Sequence, residues 1–302
     1  MFQVKSPIPD HLADGLEAHF CESETPVHWS IESIPGGRDF HLYGFFDNPE
    51  TAREAWACLR ADFPDVPDSP EGRHLADRDW AEAYKDYFQP WSCKGLHWVP
   101  VWERDAYAVP DGQAALYLDP GMAFGTGNHA TTRLCVEGLL DYHDRLGSGD
   151  LGAKAIVDAG CGSGILALSA SLLGFSRISA FDIDADSIRI CHENAAMNQL
   201  GGAVNFAECG LDEGLPPGQA DLLLANILAN VLTDNRETLL LGLRNQPGST
   251  LVLSGILQPE ADALEEAFRK SASALGLAFS ISRACLGQWA SVTFVRQPNP
   301  PT

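Results

Sequence analysis

Residues 155–184, AIVDAGCGSGILALSASLLGFSRISAFDID, constrain this chain more than any other stretch. The apolar run Ala155-Ile156-Val157 ends at Asp158, and Gly160, Gly162 and Gly164 follow at two-residue spacing. Ile165 to Leu173 has helical spacing, and a second apolar run closes on Asp182. Strand, glycine loop, helix and a second strand tipped by an acid are the parts that hold an adenosine-containing ligand at the edge of a parallel sheet. Glycines let the ligand approach the backbone, and the free N–H groups of the helix start face it. A carboxylate about 20 residues beyond such a loop can accept both hydroxyl hydrogens of a ribose.

Two ligands suit those parts. NAD sites use G-x-G-x-x-G, which sets a diphosphate on the helix N-terminus. Here the spacing is G-x-G-x-G, and Asp158 stands two residues before the first glycine. A carboxylate there repels a diphosphate and suits an ammonium group. S-adenosylmethionine carries an ammonium, a sulfonium, a carboxylate and a ribose but no phosphate, so Asp158 favours it. The plain alternative is a tight strand-to-helix turn that holds no ligand.

Composition bounds the other classes. At 302 residues and 45% hydrophobic side chains, the chain suffices for one large domain and one small one. No apolar run approaches the ~20 residues of a membrane helix. The start, MFQVKSPIPDH, lacks the layout of a signal peptide. A cytoplasmic protein without a membrane partner is expected. The eight cysteines are scattered with no C-x-x-C pair, which argues against a zinc site and fits unpaired thiols in a reducing compartment. Cys161 reads as a small residue in a tight turn. The net charge of −21 argues against direct nucleic-acid binding and suits a basic partner drawn by long-range attraction.

Residues 1–66 read as a small α+β domain. Strands are expected at Phe2–Val4, Val27–Ile31 and Phe40–Phe46, with a turn at Pro35-Gly36-Gly37. Helices are expected over Pro9–Phe20 and Pro49–Phe63, the second burying Ala52, Ala55, Trp56, Leu59 and Phe63. That order resembles half of a ferredoxin-like unit. FPDVPDSP, residues 63–70, reads as a linker by its prolines. Arg73 to Phe88 has helical spacing, so residues 67–90 are expected to form a linker carrying a helix.

The large domain is expected over residues 91–302. Its first unusual stretch is AALYLDPGMAFGTGNHATT, residues 114–132, a glycine-rich loop feeding a helix over Arg133–Tyr142 that Thr131 or Thr132 can cap. His129 reads as a hydrogen-bonding loop residue, and no metal site is expected. Beyond the glycine loop come a helix over Ser187–Asn198, a strand over Val204–Ala207 and a strand from Asp221 that stops at Asn226. A residue just past a parallel strand faces the ligand crevice, although Asn226 also suits a helix N-cap. A helix over Leu232–Leu243, a strand over Thr250–Leu253 and a helix over Pro259–Leu275 follow. Phe279–Cys285 and Trp289–Val295 close the chain as a hairpin around Leu286-Gly287-Gln288. Such a hairpin is unusual for NAD folds and is the expected finish of a Rossmann-like methyltransferase sheet.

Five motifs in order, LDPGMAFGTGNHATT, DAGCGSGILALSA, FDIDADSIRICHENAAMN, LLLANILANVL and LVLSGILQPEADAL, resemble the PrmA family, the methyltransferases of the L-eleven protein of the large ribosomal subunit. DRDWAEAYKDYFQPW resembles that family's connecting helix, so the likeness spans residues 78–295. It implies an α/β protein: a Rossmann-like class I methyltransferase domain, a linker helix and a small N-terminal substrate-recognition domain. By the same resemblance, S-adenosylmethionine is held at Thr132, Gly160, Asp182 and Asn226. From the residues themselves, Asp158 and Gly162 join these four, and Asn226 is the expected catalytic residue. Asn128 and Ala130 stand where the family usually has Thr and Pro, and the stretch from Thr132 to Gly160 is longer than usual. The implied reaction moves methyl groups to lysine side-chain or N-terminal amines of a basic ribosomal protein, by a monomeric enzyme. Another protein or a small molecule is the alternative acceptor. An N-P-P-Y motif for nucleic-acid amines is absent, since ANIL stands in its place. A non-catalytic sensor of S-adenosylmethionine and an NAD oxidoreductase are the readings from other classes.

Overall fold

The computed structural model describes residues 2–22, 28–33, 40–74, 88–119, 129–147 and 149–298. Two compact units divide the chain, Met1–Asp86 and Tyr87–Thr302.

In the first unit, β1 (Phe2–Ile8), α1 (Asp10–Glu22), β2 (His28–Ser33), β3 (Phe40–Phe46), α2 (Pro49–Asp62) and β4 (Glu71–His74) follow in order. The strands form one antiparallel sheet in the order β2-β3-β1-β4. Alternation along β3 sends Leu42 and Phe46 inward, where they meet Leu16 of α1 and Trp56 and Leu59 of α2. A capping box sets the start of α2: the Asn48 side chain accepts from the Glu50 and Thr51 N–H groups, and Pro49 occupies the first turn. The small α+β unit is thus the complete split βαβ arrangement of a ferredoxin-like fold, with β4 supplying the strand that the sequence pattern misses.

That strand corrects the start of the expected linker helix. Arg73 and His74 lie in β4, paired with Gln3 and Phe2, and the Arg73 Nε–H donates to Gln3 Oε1 at 2.6 Å. Every residue of β4 is exposed, so no periodicity marks it in the sequence. Residues 63–70 are bound to α2, since Val66 is buried, Trp56 Nε1 donates to the Pro67 carbonyl and Arg60 Nε to that of Val66. Residues 75–87 and the turn expected at Pro35-Gly36-Gly37 lie outside the described residues.

The second unit opens with a three-stranded sheet of β5 (Trp91–Cys93), β6 (Leu96–Pro100) and β7 (Ala114–Leu118). After it come α3 (Ala130–Leu146), β8 (Ala155–Ala159), α4 (Ile165–Leu172), β9 (Arg177–Asp182), α5 (Ala185–Met197), β10 (Val204–Glu208) and the single turn α6 (Leu211–Gly214). The chain continues through β11 (Leu222–Asn226), α7 (Ala229–Asp234), α8 (Arg236–Gly242), β12 (Thr250–Leu257), α9 (Ala261–Ala274), β13 (Phe279–Leu286) and β14 (Trp289–Arg296). The helix expected over 232–243 is two, parted at Asn235, whose side chain donates to the Val231 carbonyl at the end of α7.

The strands β8 to β14 form one sheet in the order β10-β9-β8-β11-β12-β14-β13. β8 to β12 pair in parallel, while β14 runs antiparallel between β12 and β13. The final hairpin therefore closes the sheet as the sequence pattern implies. Ile156, Leu222, Leu224 and Val252 pack beneath α3, α4 and α5. Val157, Leu223, Ala225, Leu251 and Leu253 pack against α7, α8 and α9 on the other face. Burial on both faces is why these strands read as unbroken apolar runs. Among the described residues, no helix is long and apolar enough to cross a membrane.

The strand order turns back between β8 and β11: the chain lays β9 and β10 on one side, then crosses to lay β11 and β12 on the other. A crevice opens at the carboxyl ends of two such strands. Phe268 of α9 is fully buried against Phe294 of β14, with ring centroids 5.3 Å apart. Phe268→Ala is expected to lower stability by about 3–5 kcal/mol, read from the shift in a urea unfolding curve.

Candidate functional site

Gly160, first residue past β8, sits at that crevice with φ +72°, and a Cβ there would lie 2.4 Å from Cγ2 of Ile227. Only glycine lets the end of β8 approach the end of β11 so closely. The Phe181 carbonyl at the end of β9 accepts from the Gly160 and Cys161 N–H groups at 2.9 and 3.0 Å. The loop is thereby bound to the neighbouring strand before any ligand arrives. Asp182, one residue on, accepts from the Gly162 N–H at 2.9 Å on one oxygen and from the Asp184 N–H at 3.1 Å on the other. Each oxygen keeps a further lone pair.

Asp158 is fully buried. One of its oxygens accepts from the Ala167 N–H at 3.1 Å, so it satisfies a donor of the first turn of α4, whose N-cap, Gly164, has no side chain to do so. The other oxygen, Oδ1, has no hydrogen-bond partner. Burial pushes this carboxyl up to about 7; the Ala167 N–H pulls it partly back, and the charge of Asp182 adds to the rise. A buried carboxyl with an open oxygen is costly alone and favours a positively charged neighbour.

Asn226 ends β11, and its Nδ2 lies 3.4 Å from Oγ1 of Thr132. Its Oδ1 is buried without a hydrogen-bond partner. The N-cap alternative for this residue is removed, because α7 begins at Ala229 and Leu228 is its N-cap. Thr131 and Thr132 are not caps either. His129 is the N-cap of α3, and both threonines are buried inside the first turn. The helix starts earlier than its apolar pattern suggests because His129 is itself anchored. Its Nδ1 lies 2.7 Å from Thr131 Oγ1, and its ring meets the Trp289 ring edge-on at 4.9 Å. The expected hydrogen-bonding role of His129 is thus met, with burial lowering its pKa. The loop residues 120–128, including Asn128, lie outside the described residues.

The structure brings the sequence-selected residues into one chain of contacts. Thr132 meets Asn226, the adjacent Ile227 covers Gly160, and Gly162 donates to Asp182. Asp158 lies at the same strand end, with Ala159 between it and Gly160. Cys161 is buried with its Sγ 3.7 Å from that of Cys191, which fits a small residue in a tight turn. Two contributors escape the sequence reading. Asn194 of α5 donates to the Ser163 carbonyl and accepts from the Asp119 N–H, tying the glycine loop to the end of β7. Ile183 is 81% exposed beside Asp182, an apolar side chain left on the crevice rim. Its signal was an isoleucine between two acids, where a solvent loop would carry a polar residue.

A protein-family profile described as Ribosomal protein L11 methyltransferase (PrmA) matches residues 18–297. The ribosomal protein L11 methyltransferase of Geotalea uraniireducens (strain Rf4) is 38% identical over 226 residues, 73% of this chain and 68% of that protein. The one from Trichlorobacter lovleyi (strain ATCC BAA-1151 / DSM 17278 / SZ) is 33% identical over 306 residues, covering 98% of this chain and 95% of its own. Among solved structures, a ribosomal protein L11 methylase from Lactobacillus delbrueckii subsp. bulgaricus superposes with a TM-score of 0.57 at 31% identity, over 68% of this chain and 97% of that one.

The Asp158 carboxyl makes a pH prediction. Its folded pKa of about 7 lies above the ordinary aspartate value of 3.8 that stands for the unfolded chain. Between those values the folded protein holds a proton that the unfolded chain has lost, so stability falls as pH rises through that window. From pH 5 to pH 7 the ligand-free protein is expected to lose about 2 kcal/mol more than the Asp158→Asn variant does. Urea unfolding of both proteins at the two pH values measures the difference, and equal slopes would rule it out.

Proposed function

The chain belongs to the PrmA family of ribosomal protein L11 methyltransferases, and from that premise we propose that it moves methyl groups from S-adenosylmethionine to amines of ribosomal protein L11. It is an S-adenosylmethionine-dependent protein methyltransferase of the Rossmann-like class. The observation that carries the assignment of the site is the buried, unpartnered Asn226 Oδ1 at the switch point, in contact range of Thr132 and next to the residue that covers Gly160.

The residues present fit the methyl donor. Asp182 keeps lone pairs on both oxygens, which suit the two ribose hydroxyls. The bare backbone of Gly160 and Gly162 lets the ligand approach. Asp158 offers an open carboxylate oxygen to the donor's ammonium, which compensates the cost of its burial. Thr132 adds a hydroxyl beside Asn226. Ile183 supplies an apolar surface on the rim. Bound S-adenosylmethionine supplies a methyl group made electrophilic by its sulfonium.

The protein's own task is to present a neutral amine. A free lysine, with a pKa of about 10.4, is neutral in roughly one molecule in 2,500 at pH 7. Burial and a nearby positive charge both lower an amine's pKa. Asn226 Oδ1 accepts one N–H of the incoming amine and so aims its lone pair; the amine's proton leaves to solvent. Positioning and exclusion of water then supply the rate, and no protein nucleophile is needed. The acidic chain suits a basic ribosomal protein, met as a single enzyme molecule in the cytoplasm.

Incubating the enzyme with isotope-labelled S-adenosylmethionine and unmethylated L11 is expected to label L11 on lysine or N-terminal amines. Donor binding without transfer to L11 would leave another acceptor as the substrate. Asn226→Ala is expected to lower kcat at least a hundredfold while the Kd for S-adenosylhomocysteine changes little. Asp182→Ala is expected to weaken that Kd about a hundredfold, as the loss of two hydrogen bonds to a charged group implies. Unchanged kinetics and binding in both variants would remove these assignments.

A further inference from the structure

Ser254 stands opposite Asn226 in the β11–β12 register. Its side chain is fully buried, and its hydroxyl donates to the Thr131 carbonyl in the first turn of α3 at 2.9 Å. The peptide that receives this bond is the one joining Thr131 to Thr132. Gly255 comes next, with φ +83°, and a Cβ there would lie 2.3 Å from the Ile227 carbonyl oxygen. No side chain fits unless the turn after Asn226 moves.

Neither residue belongs to the apolar clusters that cover the two faces of the sheet. Leu253 and Ile256 both face the α7–α9 side of the sheet, three residues apart where a regular strand sets same-face residues two apart. The register of β12 with β14 shifts between them. Ser254 and Gly255 therefore form a bulge with one extra residue, and bulges beside active sites re-aim what they touch. This one touches both halves of the crevice: through Ser254 the turn that carries Thr132, and through Gly255 the turn that carries Asn226.

We propose that the Ser254–Gly255 bulge is the positioning device of the methyl-transfer site, Ser254 setting Thr132 toward the donor and Gly255 setting Asn226 toward the amine. The proposal rests on the reading of Thr132 and Asn226 given above. Neither bulge residue touches the reacting atoms; each acts through the residue it holds.

Two double-mutant cycles test it. The first measures the Kd for S-adenosylhomocysteine by calorimetry in Ser254→Ala, Thr132→Val and the double variant. Each single change is expected to weaken binding roughly five- to tenfold, and the double no more than twofold beyond the weaker-binding single. The second measures kcat on L11 in Gly255→Ala, Asn226→Ala and their double variant. Gly255→Ala is expected to lower kcat about tenfold or more, and to add nothing to that loss once Asn226 is Ala. A purely structural role would make both pairs additive, and additivity overturns the proposal even where every variant folds with a native Tm. Full losses in Thr132→Val and Asn226→Ala with additive bulge effects overturn the positioning role alone. Silence in those two variants overturns the site assignment beneath it.

Discussion

The end of β8 must lie against the end of β11, and everything at the crevice follows from that approach. Gly160 has no Cβ because Ile227 already fills the space one would need. The approach is forced by the sheet, since β8 and β11 pair in parallel while their connections run to opposite sides. Two-sided burial of both strands holds the geometry: neither can shift without exposing one of two apolar layers. The loop after β8 and the turn after β11 are therefore fixed at their roots by core packing.

The two buried acids of these strands, Asp221 and Asp158, are satisfied differently. At the amino end, buried Asp221 accepts from the Ala155 N–H and from Gln246, is paired with Arg244 at 3.1 Å, and has Lys154 at 3.8 Å. At the carboxyl end, Asp158 and Asn226 each keep a buried oxygen without a partner. A fold can close an acid off with cations and N–H groups, and this one does so around Asp221. The unpartnered oxygens of Asp158 and Asn226 lie at the end where a ligand with an ammonium and an incoming amine would complete them.

Much of this was legible in the residues. The spacing of Gly160, Gly162 and Gly164, the acids Asp158 and Asp182 at strand ends, and the apolar runs of β8, β11 and β12 carry local signals, because backbone freedom and burial act within a few residues. Less legible was whatever depends on a partner distant in sequence. β4 is exposed throughout, and only its pairing with β1 makes it a strand. Thr131 and Thr132 look like caps until His129, braced by Trp289, takes that place. Asn226 keeps a helix cap as its alternative reading until α7 is seen to begin at Ala229. Ser254 and Gly255 sit in the LVLSGILQPEADAL stretch, yet nothing nearby in the sequence says that one reaches α3 and the other Ile227.

By itself the sequence determined most of the elements, the class of the fold and the kind of ligand. Glycine spacing, hydrophobic period and the placing of acids are properties of short stretches, and each dictates its local structure wherever the stretch is found. Only the tertiary structure decided which atoms stay open. Whether Asp158 Oδ1 or Asn226 Oδ1 has a hydrogen-bond partner depends on side chains that segments distant in sequence bring near it, and no single segment encodes that meeting.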